Sequence, residues 1–172
     1  MNTASPEPEE TLSEILSGRE ERAALRESRL SEGIFACQIS LNIPGYPKRL
    51  QNDEKAVKFF SRQFVREWKS KPLFEQNLSN GAGFSWLGFF AGNLPDAKKA
   101  KIIAVNIEEV VPQGRISDID ISVPGKTLSR SDMGLPPRSC LICGSPAKEC
   151  ARKRSHPYAE LRYEFEKLIK NI

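Results

Sequence analysis

Apolar residues recur at helical spacing in three parts of the chain, and each part predicts an α-helix. The first helix is expected from Thr11 to about Ser31, and Thr11 with Glu14 forms a capping-box pattern at its start. The second is expected from about Asp53 to Lys69, and a closing helix follows Pro157. The arginine and glutamate residues of the first helix indicate a solvated face, and we assign them no chemistry.

Three shorter stretches have the pattern of β-strands. Residues 34–41 alternate between apolar and other side chains, and residues 102–107 are apolar and β-branched, which predicts a central strand. Residues 116–123 alternate again, and the turn 112–114 before them predicts a hairpin with the central strand. The glycine-rich stretch 77–95 matches no phosphate-loop spacing and indicates tight packing and turns.

Two acidic residues, Asp118 and Asp120, interrupt the strand predicted at 116–123. Residues two apart on a strand project from the same face, so the carboxylates should lie about 6 to 7 Å apart along the strand. They repel each other unless a cation lies between them, and hard oxygen ligands suit Mg²⁺. The pair predicts a phosphate-handling metal site, or else an exposed strand face that carries two acids.

Three cysteines and the single histidine form a second group near the C-terminus. Cys140, Cys143, Cys150 and His156 have the spacing C-x2-C-x6-C-x5-H. They supply the four ligands that a closed structural Zn²⁺ site needs, and the first spacing is typical of zinc knuckles. The alternative is a set of buried thiols beside a histidine that hydrogen-bonds a phosphate.

Basic residues are concentrated in the same C-terminal region, and they predict a site for phosphate groups. The residues are Arg138, Lys148, Arg152, Lys153 and Arg154. Guanidinium groups bind phosphate oxygens through two hydrogen bonds, although a solvated basic patch is the usual alternative. Lys48 and Arg49 follow the proline- and glycine-containing turn 42–47 and are further candidates for phosphate contact, with a plain surface loop as the alternative.

The composition restricts the class of protein. At 172 residues with 39% hydrophobic and 28% charged residues, the chain is expected to be one domain over residues 11–172, preceded by a flexible tail over 1–10. A net charge of +4 permits an anionic ligand without requiring nucleic acid. No membrane span or secretory signal is visible, so we expect a cytoplasmic protein whose cysteines are reduced.

A longer set of motifs resembles one family. In chain order they are Asn42-Ile43-Pro44-Gly45, Gly114-Arg115-x-x-Asp118-Ile119-Asp120, Ser129-Arg130, Gly134-Leu135-Pro136-Pro137-Arg138-x-Cys140-Leu141-Ile142-Cys143, Ala147-Lys148-x-Cys150-Ala151-Arg152 and His156. Their order and spacing are similar to those of the citrate lyase holo-acyl-carrier-protein synthases. The resemblance runs from the first predicted helix to the last, which is nearly the whole chain.

The resemblance implies an activity and a fold. Members of the family transfer phosphoribosyl-dephospho-coenzyme A from 2'-(5''-triphosphoribosyl)-3'-dephospho-coenzyme A to a serine of the apo acyl-carrier (gamma) subunit of citrate lyase, and diphosphate is released. The fold looks like a distant relative of the nucleotidyltransferases, an α/β (α+β) arrangement with a mixed sheet, flanking helices and paired acids on a strand. The implied partners are the donor and the carrier subunit, with no nucleic acid or membrane.

The resemblance and the charge pattern together give a set of expected site residues. Asp118 and Asp120 would hold Mg²⁺, and Arg115 would act beside them. Contacts to the substrate phosphates are expected from Gly114, Arg130, Arg138, Lys148, Arg152, Arg154 and Lys48. Zn²⁺ would be structural.

Two features depart from the nucleotidyltransferase pattern. Ile107-Glu108 occupies the place where such enzymes usually carry a Gly-Ser pair, so phosphate binding by that turn is in doubt. A third carboxylate is usual, and the candidates are Glu108, Glu109 and Asp132. Two other functions stay open: transfer of an ordinary nucleotide such as AMP to an acceptor, and a zinc-stabilised basic module that binds nucleic acid or a protein.

Overall fold

The computed structural model describes residues 8–172, with side chains from residue 11 onward. The helices of this part are α1 (Pro8–Arg29), α2 (Asp53–Trp68), α3 (Leu94–Val110), α4 (Ala147–Lys153) and α5 (Tyr158–Ile169). The strands are β1 (Ile34–Leu41), β2 (Phe74–Asn80), β3 (Gly83–Ala91), β4 (Ser117–Val123) and β5 (Lys126–Leu128). Short 3₁₀ helices cover Pro112–Ile116 and Ser131–Met133.

The strands form one sheet in the order β2-β3-β1-β4-β5. Each neighbouring pair is antiparallel. The predicted α+β class is confirmed, but the sheet of the described residues is antiparallel where a mixed one was expected. None of the described helices combines the length and the apolar character that crossing a membrane requires.

The two faces of the sheet differ in polarity. On one face, α2, α3 and α5 cover the main core, which contains Phe35, Ile39, Phe60, Phe64, Trp86, Phe90, Ile119, Ile121 and Phe165. On the other face, α1 covers a small apolar cluster around Ala36, Leu87 and Phe89. The remainder of this second face is polar, and both acids of β4 lie there.

The prediction of a central strand over residues 102–107 is wrong, because these residues belong to α3. Asn93 accepts a hydrogen bond from the Asp96 amide, and the Asp96 carboxylate accepts one from the Asn93 amide, which closes a capping box. Ala97, Ala100 and Ala104 then recur at helical spacing and are fully buried. Burial on one helix face thus overrides the strand preference of the β-branched run, and the hairpin expected with β4 does not form.

Three other predictions are changed by the structure. Most of the stretch 77–95, expected to be packing and turns, is the β2–β3 hairpin and the start of α3. Helix α1 begins at Pro8, so Thr11 lies inside it and not at its N-cap, and residues 8–10 of the expected tail are helical. Residues 1–7 of that tail lie outside the described part. The predictions of β1, α2 and the closing helix are confirmed.

Candidate functional site

The paired acids lie on β4, on the face of the sheet that α1 covers. Ser117, Ile119 and Ile121 are buried, whereas Asp118 and Asp120 alternate with them and are partly accessible. In the antiparallel register Asp118 is opposite Ser40 of β1, and Asp120 is opposite Gln38. Both carboxylates line a cavity of about 310 Å³ between α1 and the sheet.

The environment of the two carboxylates differs. Burial, and next the charge of Asp118, raise the pKa of Asp120 to about 6. The side chain of Asp118 is 49% exposed, and its Oδ1 lies 3.6 Å from Nη1 of Arg138. The pair therefore presents two oxygen donors of the kind that bind Mg²⁺ to a concave, partly desolvated space.

Three arginines of α1 lie on the opposite side of the cavity from the sheet. Arg19, Arg22 and Arg26 line it at spacings of three and four residues, which place them on one face of the helix. The expectation of a solvated face is wrong for Arg22, which is only 6% exposed. The spacing of the arginines was the available signal, but the sequence alone does not show which face of a helix is covered.

The guanidinium group of Arg22 makes a hydrogen bond through one of its nitrogens, and another is buried without a partner in the described structure. Its Nη2 donates a hydrogen bond of 2.8 Å to the Gly83 carbonyl. Its Nε is buried and makes no hydrogen bond within the described structure. Burial, and next the charge of Arg19, lower the pKa of Arg22 to about 10, a value at which the guanidinium keeps its charge at neutral pH.

Close contact between two glycines and neighbouring backbone positions α1 over the sheet. A Cβ on Gly18 would lie 2.5 Å from Oδ1 of Asn80, and a Cβ on Gly81 would lie 2.4 Å from the Glu14 carbonyl oxygen. Nδ2 of the Asn80 side chain also donates to the Gly18 carbonyl at 3.0 Å. The helix thus lies directly on the β2–β3 turn, which fixes the arginine face over the acids.

Lys48 is the one residue of the predicted phosphate-binding set found among the described residues that line this cavity. Its Nζ donates to the Ile43 carbonyl at 2.6 Å. Burial, followed by the charges of Arg19 and Arg162, lowers the pKa of Lys48. Arg49, the neighbouring candidate, instead pairs with the buried carboxylate of Asp53.

Arg115 and Arg138 connect β4 to the C-terminal region. Arg115 donates to the carbonyls of Ser139 and Cys140, and Arg138 donates to the carbonyls of Arg115 and Ser117 at 2.7 and 2.6 Å. These bonds all come from Nη2 of the two guanidinium groups and direct that edge of each toward the backbone. Of the two side chains, Arg138 lies beside an acid of the pair, so it is placed to orient Asp118.

The other residues expected at the phosphates lie outside the cavity lining. Gly114 is buried against α3, where a Cβ would be 2.0 Å from the Ile107 carbonyl oxygen. Arg130 pairs with Glu108 and Glu109. The side chains of Lys148, Arg152 and Arg154 are exposed on and after α4. The structure therefore does not bring these residues to the acids.

None of the candidate third carboxylates lines the cavity within the described structure. Oε1 of Glu108 accepts the Ile119 amide at 2.9 Å, and Nζ of Lys101 donates to the Ile119 carbonyl at 2.9 Å. Both side chains come from α3 and are nearly fully buried. Asp132 pairs with Lys126. These acids have structural partners, and within the lining only Asp118 and Asp120 are acidic.

The cysteines and the histidine predicted as zinc ligands converge. One ligand atom from each of Cys140, Cys143, Cys150 and His156 lies within 4.8 Å of the others. Nε2 of His156 is 3.3 Å from the Cys143 sulfur, and the sulfurs of Cys143 and Cys150 are 3.5 Å apart. Nδ1 of His156 is 3.8 Å from a carboxylate oxygen of Glu160. The cluster can therefore hold a metal ion, with a carboxylate behind the imidazole as is common at such sites.

Local backbone structure brings these ligands together. The Cys140 amide donates to the Ser145 carbonyl at 2.6 Å, and the Ala147 amide donates to the Arg138 carbonyl at 2.8 Å.

The thiols of the cluster have shifted pKa values. Hydrogen bonds from Ser145, and next from His156, lower the pKa of Cys143 to about 6. The hydrogen bond with Cys143 raises the pKa of Cys150 to about 11. We name residues 138–156 the Cys/His module.

Comparison with known proteins agrees with the resemblance. A family model described as apo-citrate lyase phosphoribosyl-dephospho-CoA transferase matches residues 10–172. A Streptococcus pyogenes protein named as a probable apo-citrate lyase phosphoribosyl-dephospho-CoA transferase is 31% identical over 170 residues, which cover 92% of this chain and 84% of that protein.

Two further relatives match over a shorter stretch. An Escherichia coli apo-citrate lyase phosphoribosyl-dephospho-CoA transferase is 40% identical over 77 residues, which cover 44% of this chain and 42% of that protein. Protein CitXG of Haemophilus influenzae is 39% identical over 77 residues, which cover 44% of this chain and 17% of its own length. With the match over residues 10–172, these findings show that the chain belongs to the apo-citrate lyase phosphoribosyl-dephospho-CoA transferase family.

Proposed function

We propose that this protein transfers the phosphoribosyl-dephospho-CoA group from 2'-(5''-triphosphoribosyl)-3'-dephospho-CoA to a serine of the apo acyl-carrier (gamma) subunit of citrate lyase, with release of diphosphate. Family membership supports the reaction class. The observation that carries the proposal for this chain is the cavity in which Asp118 and Asp120 face four cationic side chains. A phosphoryl-type transfer needs this combination, because charge develops on phosphate oxygens as the diphosphate departs.

The residues of the cavity fit a bound Mg²⁺. Asp118 and Asp120 supply hard oxygen ligands on one strand face, and their mutual repulsion decreases when a cation binds between them. When bound, the ion would neutralise charge on the triphosphate and on the leaving diphosphate. Arg138 holds Asp118 in place through its contact of 3.6 Å.

In the transfer itself, the serine oxygen of the carrier forms a bond to the innermost phosphorus of the triphosphate. The bond from that phosphorus to the bridging oxygen breaks, and diphosphate leaves with the electron pair. The serine proton passes to solvent or to a phosphate oxygen. Helix α1 covers one side of the cavity. This cover limits the access of bulk water and strengthens the electrostatic interactions in the cavity.

We also propose that the ion held by the Cys/His module is Zn²⁺. Three thiolates and one imidazole are the ligands of closed structural zinc sites, and they leave no open position for catalysis. The role of the ion would be to fold residues 138–156, and with them Arg115 and Arg138, against the start of β4. The zinc site and the transferase site would therefore be separate, but Arg115 and Arg138 would connect them.

The direct test is intact-mass spectrometry of the apo acyl-carrier subunit after incubation with this protein, Mg²⁺ and the triphosphoribosyl donor. We expect a mass increase equal to one phosphoribosyl-dephospho-CoA group, and none with a carrier whose acceptor serine is replaced by alanine. A parallel incubation with ATP tests transfer of AMP. A carrier that gains mass only with ATP, or with neither donor, would overturn the proposal.

A further inference from the structure

The arginines on α1 form a like-charged stripe that faces inward. Arg19, Arg22 and Arg26 are separated by three and four residues, an arrangement that destabilises an isolated helix because neighbouring positive charges repel each other. Such a stripe normally faces water. Here it lines the cavity, together with Lys48. A concave surface that concentrates four cations requires an anionic partner for full stability.

The acids of the sheet do not supply that partner by direct contact. No ion pair within 4.0 Å joins Asp118 or Asp120 to a cation of α1 in the described residues, and the close cationic partner of Asp118 is Arg138. Arg26 is 3.4 Å from Glu27 and 3.5 Å from the Gln38 side chain. The acids and the arginines thus lie on opposite walls of the cavity with space between them.

One arginine also has an unused hydrogen-bond donor. Nε of Arg22 is buried without a partner in the described structure. The residue is charged and only 6% exposed, so water does not replace the missing partner. A buried charged donor without a partner carries its full cost of desolvation. The Ser85 hydroxyl, in the same row of the sheet as Ser40 and Asp118, is likewise buried without a partner. Of these two residues, only Arg22 lines the cavity, so a bound anion with several oxygens can satisfy its free donor after a small side-chain adjustment.

The size of the cavity indicates which part of the donor it accepts. A volume of about 310 Å³ is at the lower limit of ordinary small-molecule sites, so it is too small for a whole coenzyme A derivative. A polyphosphate chain combines small volume with several negative charges. Planar guanidinium groups bind its oxygens through paired hydrogen bonds.

We propose that Arg19, Arg22, Arg26 and Lys48 form the binding site for the triphosphate of the donor. This inference depends on the proposed function for the identity of the donor, but the polyphosphate site itself does not depend on it. Arg22 is the anchor, because the Gly83 carbonyl fixes one side of its guanidinium. Arg19 and Arg26 contact the phosphates from either side of it. The arginines of the Cys/His module are not part of this site.

The test measures binding of inorganic tripolyphosphate to the full chain by isothermal titration calorimetry. We expect the double variant Arg19→Gln/Arg26→Gln to bind tripolyphosphate at least tenfold more weakly than the wild type. Arg22→Lys keeps the charge but loses the second hydrogen-bonding edge, and it should weaken binding several-fold. The single-charge control is Arg29→Gln on the same helix. Arg29 stacks on Phe74 and does not line the cavity.

The outcomes separate this inference from the proposed function. Wild-type affinity in the Arg19→Gln/Arg26→Gln variant, or an equal loss in Arg29→Gln, would overturn the polyphosphate site even if transfer to the carrier is observed. Arginine-dependent tripolyphosphate binding without any mass gain on the carrier would support the site and overturn the proposed transferase function. The thermal unfolding midpoint of each variant identifies any loss that is due to misfolding.

Discussion

The cavity under α1 and the Cys/His module are both rich in positive charge, but they use it differently. In the module and its junction with β4, Arg115 and Arg138 donate to backbone carbonyls, and nearby Arg130 pairs with two glutamates. In the cavity, a buried donor of Arg22 has no partner among the described residues. A cationic side chain whose N–H groups bond to the protein itself stabilises the fold. A cationic side chain with an unused N–H group beside a concave space is available to bind a ligand.

Replacement of Asp118 by Asn should have the largest effect on activity. The substitution removes a carboxylate from the proposed Mg²⁺ site but keeps the size of the side chain, so transfer to the carrier should fall about a hundredfold or more. The rate is measured by intact mass of the carrier over time. Glu67→Gln on the exposed face of α2 is the control and should retain full activity. Near-normal transfer by Asp118→Asn, with an unchanged melting temperature, would remove Asp118 from the mechanism.

Replacement of Cys143 by Ser should have the next largest effect, and it acts on the module. The wild type is expected to carry one zinc per chain by elemental analysis, and the variant should lose most of it because a structural site needs all four ligands. Transfer should fall about tenfold, since Arg138 is then no longer held beside Asp118. Cys37→Ala, in the core away from the cluster, should keep the zinc. Full zinc content in Cys143→Ser would contradict the assigned ligand set.

Without bound Mg²⁺, the ionised carboxylate of Asp120 should lower the free energy of unfolding at neutral pH. Its pKa is raised to about 6 in the folded chain, whereas an unfolded aspartate titrates near 4. A raised pKa contributes stability at low pH, and that contribution is lost as the pH rises through about 6. Asp120→Asn should therefore increase the free energy of unfolding by roughly 1–2 kcal/mol at about pH 7.5, and the gain should shrink toward pH 4.

Urea titrations without added Mg²⁺ measure this difference. Asp96→Asn is the control with the opposite sign, because hydrogen bonds from the Asn93 amide, and next from Lys99, lower the pKa of Asp96. That variant should be destabilised at neutral pH. A gain from Asp120→Asn that does not vary with pH would show that repulsion and burial of the charge are not its cause.

Neutralisation of the exposed basic residues of the module should have the smallest effect, which is measured as the KM for the donor. The triple variant Lys148→Gln/Arg152→Gln/Arg154→Gln leaves the cavity and the cysteines intact, so the KM for the donor should change less than about twofold. Steady-state kinetics at several donor concentrations measure it. A large increase in this KM would show that the module, and not the face of α1, binds the donor.

The sequence was sufficient to predict the elements whose pattern is local. Residues 34–41 alternate because Phe35, Cys37 and Ile39 face the main core, whereas Gln38 and Ser40 line the polar cavity on the other face. The spacing of Asp118 and Asp120 within an apolar run likewise places both on one strand face. The four metal-ligand candidates were also recognisable, because such ligands repeat at short spacings along the chain. Residues 102–107 were misassigned because an apolar β-branched run fits a buried helix as well as a strand.

The cationic wall of the cavity could not be predicted in this way. Arg22 is buried through its bond to the Gly83 carbonyl, 61 residues away, and through the contact of Gly18 with the β2–β3 turn. Neither contact leaves a local signal, so the arginines of α1 resemble an ordinary solvated face. Conversely, Arg130 and Arg138 resemble ligand-binding residues in the sequence. Only the folded chain shows that Arg130 pairs with two glutamates and that Nη2 of Arg138 bonds to two backbone carbonyls.

The two buried side chains that α3 places against Ile119 have a consequence for how the carrier subunit can approach. Beyond its three residues paired with β5, the outer edge of β4 has its amide and carbonyl at Ile119 bonded to Glu108 and Lys101. An incoming segment therefore cannot extend the sheet by strand addition at this position. The carrier subunit of the proposed reaction would therefore dock by contacts other than strand addition at Ile119.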